Sequence, residues 1–180
     1  QEQLAIALSQ LASPLEAQGH YGQAEDMYRQ GLKLMLATLG PAHPYYAIGL
    51  NNLAGVLSRQ GHHDEAKELF LKAIEVGEAA EGTSHPDYAI RLCNLAEVAG
   101  KQGNDVESED LSRRALDLLG TTVGTDHPDY AIGLHSLASA FYRQKRYNDA
   151  EPLFREALQI QAANFGELHP DYAMTLNNLA

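Results

Sequence analysis

An all-α array of stacked helix pairs is the fold class this sequence predicts, on three observations. The pair His-Pro returns at 43, 85, 127 and 169, a strict spacing of 42 residues. Self-similarity at a fixed period of about 20–50 residues marks a stacked-repeat architecture. Within each period two stretches place apolar residues at three- and four-residue steps, the spacing of one helix face. No alternating stretch of useful length argues for a strand. The expected repeats cover about 1–42, 43–84, 85–126 and 127–168, with a half repeat at 169–180, in one array over 1–180.

The elements follow in order. In the first repeat LSQLASPLEAQGHYGQAEDMYRQGLKL (8–34) carries the pattern with two departures. Pro14 falls mid-helix, where it removes a donor and crowds the preceding turn, so a kink or a break is predicted near Ser13. SPLE there could instead cap a short second helical segment. Gly31 puts a weaker helix former at a small-residue position. In the second repeat Leu50, Leu53, Ala54 and Leu57 share a face and predict a helix over 44–60. Ala66, Leu69, Phe70, Ala73 and Ile74 predict another over 64–80. Gly61 marks the turn between them, as Gly19 and Gly103 do elsewhere; Lys145 takes that place in 127–168. In 85–126, Ser108 and Ser112 stand where Ala66 and Phe70 stand, so the helix over 106–120 is expected to pack less tightly. Repeats 1–42 and 85–126 should be the softest. Pro152 lies in a first helical turn and is harmless.

The segments HPYYA, HPDYA, HPDYA and HPDYA are joints between helices. Gly40, Gly82, Gly124 and Gly166 stand three residues before each His, where a helix C-terminus favours positive φ. Pro then suits the first helical position, and Asp in the first turn suits a helix N-terminus. The histidines are expected to serve the ending helix as C-terminal partners. Successive copies are a helix pair apart, at about 8–10 Å per helix, too far for one ion with bonds of about 2 Å. GHHDEA (61–66) lacks a third ligand at helical spacing and reads as turn and cap. No metal site and no cofactor are expected.

Leu50-x-x-Leu53-Ala54-x-x-Leu57 followed by Ala66-x-x-x-Phe70-x-x-Ala73 resembles the tetratricopeptide repeat signature. The usual repeat of that family has 34 residues, and about two additional helical turns, one per helix, keep the same packing face. The longer form with G-x-x-H-P-D-Y-A-x-x-L-N-N-L-A is similar to the kinesin light chain type. The resemblance covers essentially all of the chain. It implies a right-handed superhelix in which the first (A) helix of each pair lines the concave side, where peptide partners lie.

On the A-helix face left after the packing residues, two rows are candidates for a binding groove. Asn51 and Asn52, then Asn94, then Asn177 and Asn178, with His135 beside Ser136 in the gap, offer groups that donate and accept at once, as an extended peptide backbone requires. Arg59, Lys101 and Arg143 form a basic row in an acidic protein and suit carboxylates on a partner. The alternative is that these are solvated surface positions with the asparagines bonded to neighbouring helices. Cys93 is expected on the same face as a tolerated small residue. The Tyr46, Tyr88, Tyr130 and Tyr172 ladder reads as packing between repeats.

Composition narrows the function classes. A formal net charge of −11 disfavours nucleic acid and anionic membranes as partners. No run is long and apolar enough to span a bilayer. A lone cysteine excludes a disulfide framework within one chain, and a reducing, cytoplasmic setting fits. The motifs G-x-S-x-G and G-x-x-x-x-G-K-[ST] are absent, so no catalysis is expected. The sequence opens without Met and stops partway through its motif, as expected of a piece of a longer array. The expected role is a scaffold binding a partner's peptide segment, with a bias to acidic ones. The alternatives are a regulatory or sensor part of a larger signalling protein, or an array that self-associates end to end through an uncapped apolar face.

Overall fold

A computed structural model describes residues 2–179. The chain divides into two compact units, Gln1–Thr83 and Ser84–Ala180. The first holds α1 (Glu2–Ala17), α2 (Tyr21–Leu39), α3 (Pro44–Arg59) and α4 (His63–Glu81). The second holds α5 (Pro86–Lys101), α6 (Asp105–Thr122), α7 (Pro128–Arg143), α8 (Tyr147–Phe165) and α9 (Pro170–Leu179). In the first unit α1 pairs with α2 and α3 with α4, and α2 also packs on α3. The second unit repeats the plan: α5 pairs with α6, α7 with α8, α6 packs on α7 and α8 on α9. Odd-numbered helices are the A helices of the sequence and even-numbered ones the B helices. Among the described residues no helix is long and apolar enough to cross a membrane.

The joints are built as two half-devices. Each of Gly40, Gly82, Gly124 and Gly166 has φ between 82° and 89°, a region open to glycine at no steric cost. The histidine that follows serves the next helix and not the previous one, which corrects the sequence expectation. His43, His85, His127 and His169 accept at Nδ1 from the backbone N–H two residues on, at 3.1–3.3 Å. The side chain thereby satisfies one of the orphan donors of a helix N-terminus.

Three other sequence expectations change. Helix α1 runs unbroken through Pro14. Only one turn follows the proline, and it is closed by the bond from Gln18 N–H to Pro14 O at 3.1 Å. Gly31 marks a close approach: a Cβ there would come within 3.2 Å of Ala5 O. Ser108 and Ser112 do not loosen α6, since both are fully buried and bonded. Ser108 Oγ donates to Ala96 O at 2.7 Å, and Ser112 Oγ shares a hydrogen bond of 2.8 Å with Ser136 Oγ.

At the α7–α8 turn Lys145 holds φ at 61° in the place of a glycine. A side chain in this left-handed region costs about 1–2 kcal/mol. Lys145→Gly is therefore expected to stabilise the protein by about 1 kcal/mol, read as a higher urea midpoint with an unchanged slope. A lower midpoint would mean that the lysine side chain is worth more than its backbone strain.

Within each unit a core lies between one helix pair and the next. In the first unit Ala5, Met35, Tyr46, Ala47, Leu50, Ala73 and Val76 form one cluster. In the second, Leu137, Ala138, Phe141, Ala150 and Phe154 form another. A polar clamp recurs at the turns: Gln60 donates to Glu25 on α2 at 2.9 Å, and Gln144 donates to Glu109 on α6 at 2.7 Å. Sequence reasoning passed over these residues, although Gln18, Gln60, Gln102 and Gln144 recur with the 42-residue period.

Candidate partner-binding face

In the first unit the A-helix residues Asn51, Asn52 and Arg59 lie on α3. Asn51 is half-buried and already engaged. The Asn52 side chain is half-buried and makes no side-chain hydrogen bond among the described residues. The Arg59 side chain is 55% exposed, with Nε 3.2 Å from Glu16 Oε1 on α1. The other oxygen of Glu16 accepts from Tyr28 OH at 3.0 Å. Burial, then the Glu16 carboxylate, pushes the Tyr28 phenol upward.

In the second unit Asn94 has a partner, and Lys101 Nζ lies 2.7 Å from Glu97 Oε1. Arg143 is built into the fold. Its guanidinium lies flat on Gly100, where a Cβ would come within 2.2 Å of Cζ. One nitrogen donates to Ser108 Oγ, and Nε stands 3.5 Å from Asp105 Oδ1. Burial lowers the pKa of this guanidinium against the pull of Asp105 and Glu97.

His135 sits edge-on to Phe154, with ring centroids 5.5 Å apart. Burial holds its pKa below the ordinary histidine range, against the opposite pull of Glu97 and Asp171. The neutral ring accepts at Nε2 from Asn178 Nδ2, 2.8 Å away. The Asn177 side chain is exposed and makes no side-chain hydrogen bond among the described residues.

These contacts share a rule. Arg59 with Glu16, Arg143 with Gly100 and Asn178 with His135 are each 43 residues apart. Each side chain leans back onto the preceding A helix, one position off the period. Such contacts join neighbouring repeats and take polar groups out of the face. What remains open in the second unit is partly apolar: Ile132, Tyr142 and Met174 are 38%, 53% and 52% exposed. Beside Tyr142 a shallow cleft of about 330 Å³ is lined by Tyr147, Phe154, Arg155, Asn178 and Leu179.

Cys93, at the repeat position of Asn51, His135 and Asn177, is closed off from solvent. It is buried on α5, its thiol pushed up to about 12 by desolvation, with Ser136 as hydrogen-bonding neighbour. The thiolate is the reactive form, so an aromatic disulfide reagent is expected to leave Cys93 untouched in the native protein and to modify it on unfolding in urea. Rapid native modification would place the thiol in solvent.

Three comparisons with known proteins bear on the chain. No match was found among curated proteins. Among solved structures, one neighbour is BtubC (BKLC) from P. vanneervenii, with a TM-score of 0.78 at 23% identity over 99% of this chain and 71% of that one. Another is a Podosopora anserina protein of nearly identical TPR-like repeats, named as a kinesin light chain, with a TM-score of 0.75 at 21% identity over 99% and 85% of the two chains. A point variant of it aligns equally well, at 22% identity over 99% and 84%. At these identities the likeness speaks for the fold. The family model for the tetratricopeptide repeat matches four overlapping segments, residues 3–79, 46–120, 92–163 and 129–180. Matched from end to end by that model and folded as paired helices on its period, the chain belongs to the tetratricopeptide repeat family.

Proposed function

We propose that this chain is a non-catalytic scaffold that holds a peptide segment of a partner protein along its A helices. Repeats of this family are generally protein–protein interaction modules. The observation that carries the finer reading is the mixed character of the open A-helix face. In the second unit the Asn177 side-chain amide is unused among the described residues, and Ile132, Tyr142 and Met174 offer exposed apolar atoms; in the first unit Asn52 offers a like amide. An extended segment needs both, backbone partners and pockets for alternate side chains.

The bias to acidic segments is assigned to Arg59 and Lys101. Arg59 is 55% exposed beside a largely covered Glu16, and Lys101 pairs with a Glu97 that is 59% exposed. Pairs with an arm in solvent are weak, about 0–1 kcal/mol where both partners are exposed. A partner's carboxylate therefore displaces them at little cost. Arg143 is left out, because Ser108, Asp105 and Gly100 hold it.

Peptide arrays at physiological salt, followed by fluorescence anisotropy on the hits, test this reading. Wild type is compared with Arg59→Glu/Lys101→Glu and with Asn52→Ala. Acidic hits should weaken about tenfold or more in the double reversal, with the circular dichroism unchanged. Hits indifferent to all three changes, or no hits, would remove the A-helix face as the binding surface.

A further inference from the structure

One niche recurs where the end of an A helix meets the start of its B helix, and twice the chain fills it with an arginine of its own. In the first unit Arg59 reaches back onto Glu16, whose carboxylate also holds Tyr28. In the second unit Arg143 reaches back onto Gly100, donates to Ser108 and stands beside Asp105. On the 42-residue period Glu16 and Gly100 correspond to Tyr142, Asp105 to Tyr147, Ser108 to Ala150 and Tyr28 to Phe154. Those four residues line the shallow cleft of about 330 Å³, which also touches α9 through Asn178 and Leu179. The cleft is the same niche one repeat further along, and it is open to solvent.

Its chemistry suits the same cation. The rings of Tyr142 and Tyr147 meet edge to face with centroids 5.2 Å apart, and they are 53% and 54% exposed. Ala150 and Phe154, each 2% exposed, form the floor. Aromatic faces attract a guanidinium, which also stacks flat on them. In this second unit Arg146 already lies 4.1 Å from the Phe141 ring centroid. Two acceptors stand at the rim. Glu151 takes both bonds from Arg155 on Oε1, so Oε2 is unused among the described residues. Asn178 gives Nδ2 to His135 and keeps Oδ1. Where the filled niches hold arginine by a carboxylate or a hydroxyl, this one offers ring faces, an amide oxygen and a carboxylate oxygen. The net charge of −11 favours a cation further.

We infer that this cleft is the seat of an arginine side chain carried by the partner segment. The inference rests on the proposed partner-binding role for the source of that arginine, and on the two filled niches for its chemistry. The segment is then of mixed charge, with carboxylates for Arg59 and Lys101 and a guanidinium for Tyr142 and Tyr147.

Two-dimensional NMR of the full chain tests the seat, with a short alanine peptide carrying one central arginine as the probe. The same peptide with citrulline keeps the shape without the charge, and with lysine keeps the charge without the planar fork. The arginine peptide should shift the signals of Tyr142, Tyr147 and Asn178, and bind about threefold or more tighter than either control. Tyr147→Leu keeps an apolar side chain at an exposed position and removes the ring face, so it should abolish that preference while the rest of the spectrum stays in place. No shift at millimolar peptide, equal binding of the arginine and citrulline peptides, or a preference that survives Tyr147→Leu overturns the inference. The peptide arrays judge the broader reading separately. Array hits on the A-helix face without an arginine response remove the seat alone, and an arginine response without array hits removes the partner segment and keeps the seat's chemistry. A mass that rises with concentration in wild type and not in Tyr147→Leu would make a second copy the source and overturn the assignment to a partner.

Discussion

Phe154→Ala is expected to cost about 3–5 kcal/mol, the range for removing a fully buried aromatic from a packed core. Phe154 is 2% exposed and belongs to the cluster with Leu137, Ala138, Phe141 and Ala150, backed by Leu116, Leu153 and Leu179. Three helices besides its own, α6, α7 and α9, therefore contribute atoms to its surroundings. Its ring also supports His135, which accepts the bond from Asn178. The truncation should open a void and loosen that A-helix contact together. The expected result is a urea midpoint displaced by more than 1 M, from a slope of about 1–3 kcal/mol/M. Hydrogen exchange should accelerate in α7, α8 and α9 and leave α1–α4 less affected, because repeat arrays are held by nearest-neighbour contacts. A cost below about 1 kcal/mol would show that the cluster repacks around the gap.

The other repeats put Tyr28, Phe70 and Ser112 at the same position, and the comparison shows what periodicity makes legible. The 42-residue spacing, the glycines and the His-Pro pairs announced the helix pairs, and the expected helices at 44–60, 64–80 and 106–120 match α3, α4 and α6 to within two residues. These features are local, so a single chain displays them. Ser112 was read as a weak point because a hydroxyl in a core is costly unless it is bonded. Its partner Ser136 is 24 residues away, on a helix whose approach no local pattern announces. Pro14 was overread for the opposite reason: the rule for helix interiors was applied one turn from a helix end. The histidines were correctly placed at the joints, yet assigned to the wrong helix. Only geometry tells Nδ1 facing forward from Nδ1 facing back.

The basic row is where a face assignment falls furthest short of a contact, and it yields the second large effect. Arg143→Glu is expected to cost about 2–3 kcal/mol, as for breaking charge-assisted bonds of a partly buried group. Arg59→Glu should cost no more than about 1 kcal/mol. Both residues lean on a position 43 earlier, but the seats differ. Arg59 is 55% exposed and a replacement side chain is free to turn into solvent, so reversal loses one ion pair, with a Glu16 that is itself 15% exposed. Arg143 is 27% exposed and lies over Gly100, bonded to Ser108 beside Asp105. A glutamate there leaves Ser108 without that donor and sets a second carboxylate near Asp105, in a niche that burial already makes unfavourable for charge. Urea unfolding of the two variants side by side decides the matter, with Arg143→Lys as the control that keeps the charge and loses the planar fork. Equal costs for the two reversals would return Arg143 to the surface row with Arg59. The expected inequality means that a loss of binding in any variant carrying Arg143→Glu reports damage to α5–α7, and that only Arg59 and Lys101 can report on a partner's charge.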